Sequence, residues 1–136
     1  MIQIYSKHIP GTLLHVVHHF NEVKEGRVDF TPEDNFMQCA MIRRNAKDEF
    51  KPHKHLWKKG KKKVITQEAW VVLTGSVLIT YYDFNSDILS THCLTQYDMS
   101  ITLQGGHSFK ILENDTIVYE FKTGPYEGQV KDKEFI

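Results

Sequence analysis

Four side chains in this sequence have the types and the spacing to converge on one cation. His53 and His55 are separated by a single residue. On a strand, alternate side chains point to the same face with their Cα atoms about 6.8 Å apart, so both imidazoles can reach one ion. By the same period-two reading, Glu68 shares a face with Trp70 and Val72, and His107 shares one with Phe109 and Ile111. Each polar group therefore stands at the rim of an apolar stripe. A carboxylate buried alone there costs on the order of several kcal/mol in lost hydration. Imidazole nitrogen and carboxylate oxygen are both ligands for first-row divalent metals, and an ion would supply the missing counter-charge. The set predicts one divalent transition metal ion (Fe, Mn, Ni, Zn or Co) on His53, His55, Glu68 and His107. Any one of these histidines taken alone reads as a hydrogen-bonded core residue; the joint spacing is what sets them apart. Gln67 competes with Glu68, because a one-residue slip of register would turn it inward instead.

These residues need strands to hold them, and the chain supplies strand signals from Phe36 onward. Short β-branched and aromatic runs at 36–43, 50–55, 67–73, 76–83, 88–94, 99–103, 107–112 and 116–122 are separated by turn residues, among them Asp83–Asp87, Gly105-Gly106 and Glu113-Asn114-Asp115. Eight short strands with little helix predict an all-β fold closed or nearly closed on itself. At 136 residues one domain with one core is expected. We divide it into an N-terminal extension over 1–35, a barrel over 36–122, and a tail over 123–136 that lies over the barrel. In the extension, Leu13, Leu14, Val16 and Val17 fit either strand or helix, and the stiff valines favour strand. His15, His18 and His19 would share a face only on a helix and lack an acid at ligand spacing, so no site is assigned to them.

The segment His53-Lys54-His55, followed by Glu68, six residues and Gly75, resembles the first cupin motif, G-x5-H-x-H-x3,4-E-x6-G, and Gly105-Gly106-His107 resembles the second. The likeness covers roughly residues 38–122. It implies a double-stranded β-helix, a small jelly-roll barrel, with the ligands converging inside its mouth. The chain departs from the pattern in four places. Lys47 stands where the first motif has its opening glycine, and twelve residues separate His55 from Glu68. The second motif lacks its proline, and its spacing from Asp98 to His107 is one residue short. The long connection is a loop, which tolerates insertion. The run Tyr119–Tyr126 resembles a segment of small bacterial cupins, some associated with surface-polysaccharide or nucleotide-sugar metabolism.

The inserted loop Leu56–Lys63 carries five lysines beside an exposed-looking tryptophan. Trp57, Lys58 and Lys59, with Trp70 on the face of Glu68, are the candidate substrate-binding residues, and the lysines favour a small anionic ligand. What the resemblance and the open metal positions imply is a metal-dependent enzyme acting on a small polar, sugar-like or carboxylate substrate, by isomerisation or epimerisation or by oxygen chemistry. The rival class is a non-catalytic module that binds a sugar or small acid. Seventeen basic residues balance seventeen acidic ones, which argues against nucleic acid as a partner. No apolar run is long enough for a membrane span, and no basic-then-apolar leader opens the chain. A cytoplasmic protein, forming a homodimer through its extension, is expected. Cys39 and Cys93 read as small buried apolar residues.

Overall fold

The computed structural model describes residues 1–18, 20, 25–58 and 64–136. In chain order the extension holds β1 (Ile2–Tyr5), β2 (Leu13–Val17) and β3 (Gly26–Asp29). The following strands are β4 (Met37–Arg44), β5 (Glu49–His55), the short pair β6 (Trp57–Lys58) and β7 (Val64–Ile65), β8 (Glu68–Thr74), β9 (Val77–Tyr82) and β10 (Ile88–Leu94). β11 (Met99–Thr102), β12 (Gly106–Ile111) and β13 (Thr116–Thr123) complete the expected set, and α1 (Gln129–Asp132) and β14 (Lys133–Phe135) follow. The eight strands read from the sequence are all present, with ends displaced by no more than a residue or two. Leu13–Val17 is a strand, so His15 and His18 do not share a helical face.

Two five-stranded antiparallel sheets face each other, one ordered β10-β9-β12-β5-β14 and the other β11-β8-β13-β4-β3. Strand periodicity decides what lies between them. Trp70, Val72, Val77, Ile79, Phe109, Ile111, Ile42 and Val118 point inward and form one buried cluster. Trp70 and Phe109, one from each sheet, stack with ring centroids 3.9 Å apart. The outward residues of the second sheet build a smaller cluster, in which Met41 and Ile117 pack with Phe30 and with Val16 of the extension. The extension therefore covers part of the outer face of that sheet.

Two details follow from the motif. Lys47, in the place of the opening glycine, has φ +78°, so the left-handed turn is kept without the glycine that makes it cheap. Gly75 has φ +76°, and a Cβ there would collide with Thr116, which explains why a glycine ends β8. The segment after residue 122 is more than a covering. β14 pairs antiparallel with β5, setting Lys133 opposite His55 and Phe135 opposite His53, so it is a strand of the sheet that carries two of the histidines. Cys39 is half-buried and Cys93 exposed, both as free thiols, which corrects the expectation that both are buried. Among the described residues no helix is long and apolar enough to cross a membrane.

Candidate metal centre

β5 delivers His53 and His55 to the interior together. Both are buried, as are Glu68 at the start of β8 and His107 near the start of β12. Gln67 is exposed, so the register places the carboxylate of Glu68 inside and the amide outside. His107 lies directly opposite His53 in the β12–β5 ladder, and the ladder slips between His107 and Phe109. The Nε2 atoms of His53 and His107 are 3.1 Å apart. Glu68 spans the other two imidazoles, with Oε1 3.4 Å from His107 Nε2 and Oε2 3.5 Å from His55 Nε2. Ligand atoms each about 2.1 Å from one ion stand about 3.0–3.4 Å from one another, so these separations suit a shared cation.

The outer nitrogens fix how the rings face. His53 Nδ1–H donates to the carbonyl of Lys51 at 2.7 Å, leaving its Nε2 lone pair for the interior. His107 Nδ1 pairs with Thr102 Oγ1 at 2.6 Å, and its Nε2 also points inward. His55 Nδ1 lies 3.2 Å from Asp132 Oδ2. The pairs that His55 makes with Asp132 and Glu68 are ion-pair contacts without hydrogen-bond alignment, so both its ring nitrogens are buried without a hydrogen-bond partner. A buried imidazole in that condition is costly unless something else engages it. The three histidines each offer one ligand atom within 4.8 Å of the others, and the donor set fits a divalent transition metal.

Protonation follows the same geometry. Burial holds His53 down to about 4 and His107 to about 3, so both are neutral and have lone pairs to give. Burial works against a charged His55 as well, but Asp132 and Glu68 on either side outweigh it and raise its pKa to about 9. Burial also opposes the charge on Glu68, yet His55 and His107 hold its carboxyl down to about 2. Asp132 is depressed too, chiefly because its contact with His55 outweighs its burial.

Asp132 is the neighbour of His55 that reading the sequence missed. It ends α1, is 1% exposed, and receives a hydrogen bond from Thr66 Oγ1 at 2.9 Å. A carboxylate beside the outer nitrogen of a histidine is the arrangement that would orient it as a metal ligand. The remaining candidates are scattered. Trp70 is in the core and lines the interior cavity, its indole N–H donating to Glu120 Oε2 at 3.3 Å. Trp57 is 54% exposed on β6 and does not line that cavity. Lys58 donates to the carbonyls of Thr123 and Pro125 and lies 3.7 Å from Asp132, so its charge is engaged by the final segment. Lys59 lies outside the described residues, as do Gly60 to Lys63.

The cavity, of about 330 Å³, opens beside His53 and Glu68 and is also lined by Glu120, Lys122, Tyr126 and Lys133. Its rim includes Arg27 of β3, which the sequence reading left in the extension. Arg27 pairs with Asp29 at 2.8 Å and with Glu120 at 2.8 Å.

Comparison with solved structures gives the same architecture at low identity. The capsular polysaccharide assembling protein CapF from Staphylococcus aureus aligns over 81% of this chain and 31% of its own, at 13% identity and a TM-score of 0.65. The Cnp3 cupin domain of Schizosaccharomyces pombe aligns over 90% of this chain and 84% of its own, at 15% and 0.62. KdgF from Halomonas sp. aligns over 74% and 79%, at 13% and 0.58. The chain spans about a third of the CapF chain. No family model matches the sequence, and no curated protein matches it.

Proposed function

The chain is a cupin by fold, and we propose that it is a metal-dependent enzyme in which His53, His55, Glu68 and His107 hold one divalent transition metal ion (Fe, Mn, Ni, Zn or Co) beside a small substrate. The observation that carries this reading is the convergence of three buried imidazoles, two of them held neutral, on a carboxylate that touches two of them. When bound, such an ion supplies Lewis acidity, or oxygen activation if it is redox-active. The protein's own part is to aim and to exclude. The Lys51 carbonyl and Thr102 hold the rings of His53 and His107 facing inward. Trp70 and Phe109, buried and stacked on each other, give the cavity an apolar wall. If the ion took six ligands, four from the protein would leave two positions for a substrate.

The substrate class we propose is small and polar or anionic, a sugar-like or carboxylate molecule. Supporting it are the cavity's size, about 330 Å³, and its mixture of acids and lysines. Isomerisation or epimerisation and oxygen chemistry are both compatible with this site. Metal-loaded and metal-stripped protein screened against sugar phosphates, nucleotide-sugars and small carboxylates tests the proposal. Metal-dependent turnover is the expected result; saturable binding with no turnover of any member would replace the enzyme with a binding module.

We further propose a homodimer. The β1–β2 hairpin pairs with no other strand among the described residues and leaves Ile2, Ile4 and Leu14 exposed. Val16 of the hairpin packs on the second sheet, and the exposed Ile2, Ile4 and Leu14 are apolar surface that a second copy would cover. A monomeric mass by light scattering would remove this part of the proposal.

A further inference from the structure

Lys133 engages the His53 nitrogen that a metal ion would need. Its Nζ donates to His53 Nε2 at 3.3 Å, and that nitrogen is the one 3.1 Å from His107 Nε2. An ammonium and a metal cation cannot share one lone pair, so an ion on His53 displaces the lysine. The backbone is not free to follow. β14 is laddered to β5 with Lys133 opposite His55, and the preceding Asp132 is pinned by His55 and Thr66. What can move is the flexible four-carbon stem, and the space beside it is the cavity that Lys133 already lines.

The other cations around that cavity differ in how far they are committed. Arg27 is taken by Asp29 and Glu120, while Lys58 does not line the cavity and is held by backbone carbonyls and Asp132. Lys122 rests over the ring of Tyr126, 4.3 Å from its centroid, a contact that leaves its charge able to pair. Lys133 and Lys122 are thus the cavity cations, among the described residues, with charge to give an anion.

We propose, resting on the metal-site reading above, that Lys133 is the receptor for the anionic group of a small carboxylate ligand bound at the metal. In the metal-free protein it pairs with His53. With the ion in place it turns into the cavity, where a ligand carboxylate, supported by Lys122, restores its partner. Lys133 therefore opposes metal binding and favours ligand binding. It is a specificity-determining residue, and its two effects have opposite sign.

Calorimetry with Mn²⁺ and then with oxalate as the probe anion tests this on the full chain, with thermal melts to verify folding. Lys133→Met is expected to bind Mn²⁺ severalfold more tightly than the unmodified protein, and to bind oxalate in the Mn²⁺-loaded state at least about tenfold more weakly, the scale of one lost charge-assisted hydrogen bond. Lys133→Arg should recover most of the oxalate affinity. Lys110→Met, which removes an exposed lysine paired with Glu49 at 2.9 Å, should change neither. Oxalate affinity within twofold of the unmodified protein in Lys133→Met, Mn²⁺ affinity in that variant no higher than in the unmodified protein, or no oxalate binding by the Mn²⁺-loaded unmodified protein would overturn the proposal. Failure of the unmodified protein to bind Mn²⁺ or any other of the five candidate metals would overturn the metal site itself, and this inference with it.

Discussion

Two charged segments flank the histidines, and they treat the site in opposite ways. The loop after β5 has the greater density of charge, yet its described residues turn away: Trp57 is exposed and Lys58 reaches for the final segment. The segment 129–136 has fewer cations but sends two side chains inward, Asp132 against His55 and Lys133 against His53. Phe135 adds an edge contact to His53 with ring centroids 6.3 Å apart. The difference teaches that charge density along a sequence does not locate a site. Lys58, the described lysine of that loop, spends its charge on backbone carbonyls of the final segment, whereas a charge carried in by a paired strand must find a partner at the site, and the partners available are the histidines.

The sharpest way to break this comparison is to remove the carboxylate. Asp132→Asn is expected to weaken metal binding by about tenfold to a hundredfold in calorimetry, the usual cost of losing the group that orients a histidine ligand. Trp57→Ala should change it less than twofold. If the two variants behaved alike, the distinction between the segments would collapse.

A second effect concerns pH in the metal-stripped protein. His55 is charged when folded up to about pH 9, well above its unfolded value of about 6.5. Its contribution is complete below the unfolded value and is lost as pH rises through 9. His53 and His107, at about 4 and 3, are already neutral in this window, and Glu68, at about 2, is already charged. Stability should fall by on the order of 2 kcal/mol between pH 7 and pH 9. Chemical denaturation at the two pH values measures it, and His55→Asn should remove most of the decline. An equal decline in that variant would mean that Asp132 and Glu68 do not hold an imidazolium.

The smallest effects belong to the loop. Lys58→Met gives up the hydrogen bonds to Thr123 and Pro125 and should cost about 1 kcal/mol of stability. Trp57→Ala, an exposed change, should stay within about 0.5 kcal/mol. The reverse order, measured by denaturant midpoints, would make the tryptophan the anchor.

Most of the fold was legible because strands write their geometry locally. Period two put Glu68 with Trp70 and Val72, and His107 with Phe109 and Ile111, on inward faces, and that is where they lie. The motif's six residues before Gly75 fit Glu68 and not Gln67, and a Cβ at position 75 would collide with Thr116, which ties that glycine to its place. Asp132 was illegible for the opposite reason. Its meeting with His55 depends on a chain that returns antiparallel along β5 from far away in sequence, and no periodicity near residue 132 records that path. Arg27 was missed in the same way, because β3 joins the sheet only through its ladder with β4.

The central claim is that the imidazoles of β5 and β12 form a metal site with Glu68. Elemental analysis of purified protein, set beside a folded His53→Ala/His55→Ala variant, tests it most directly. Close to one equivalent of a divalent transition metal per chain is expected in the unmodified protein, and a small fraction of that in the variant. Equal and negligible metal in both, before and after incubation with the candidate ions, would contradict it.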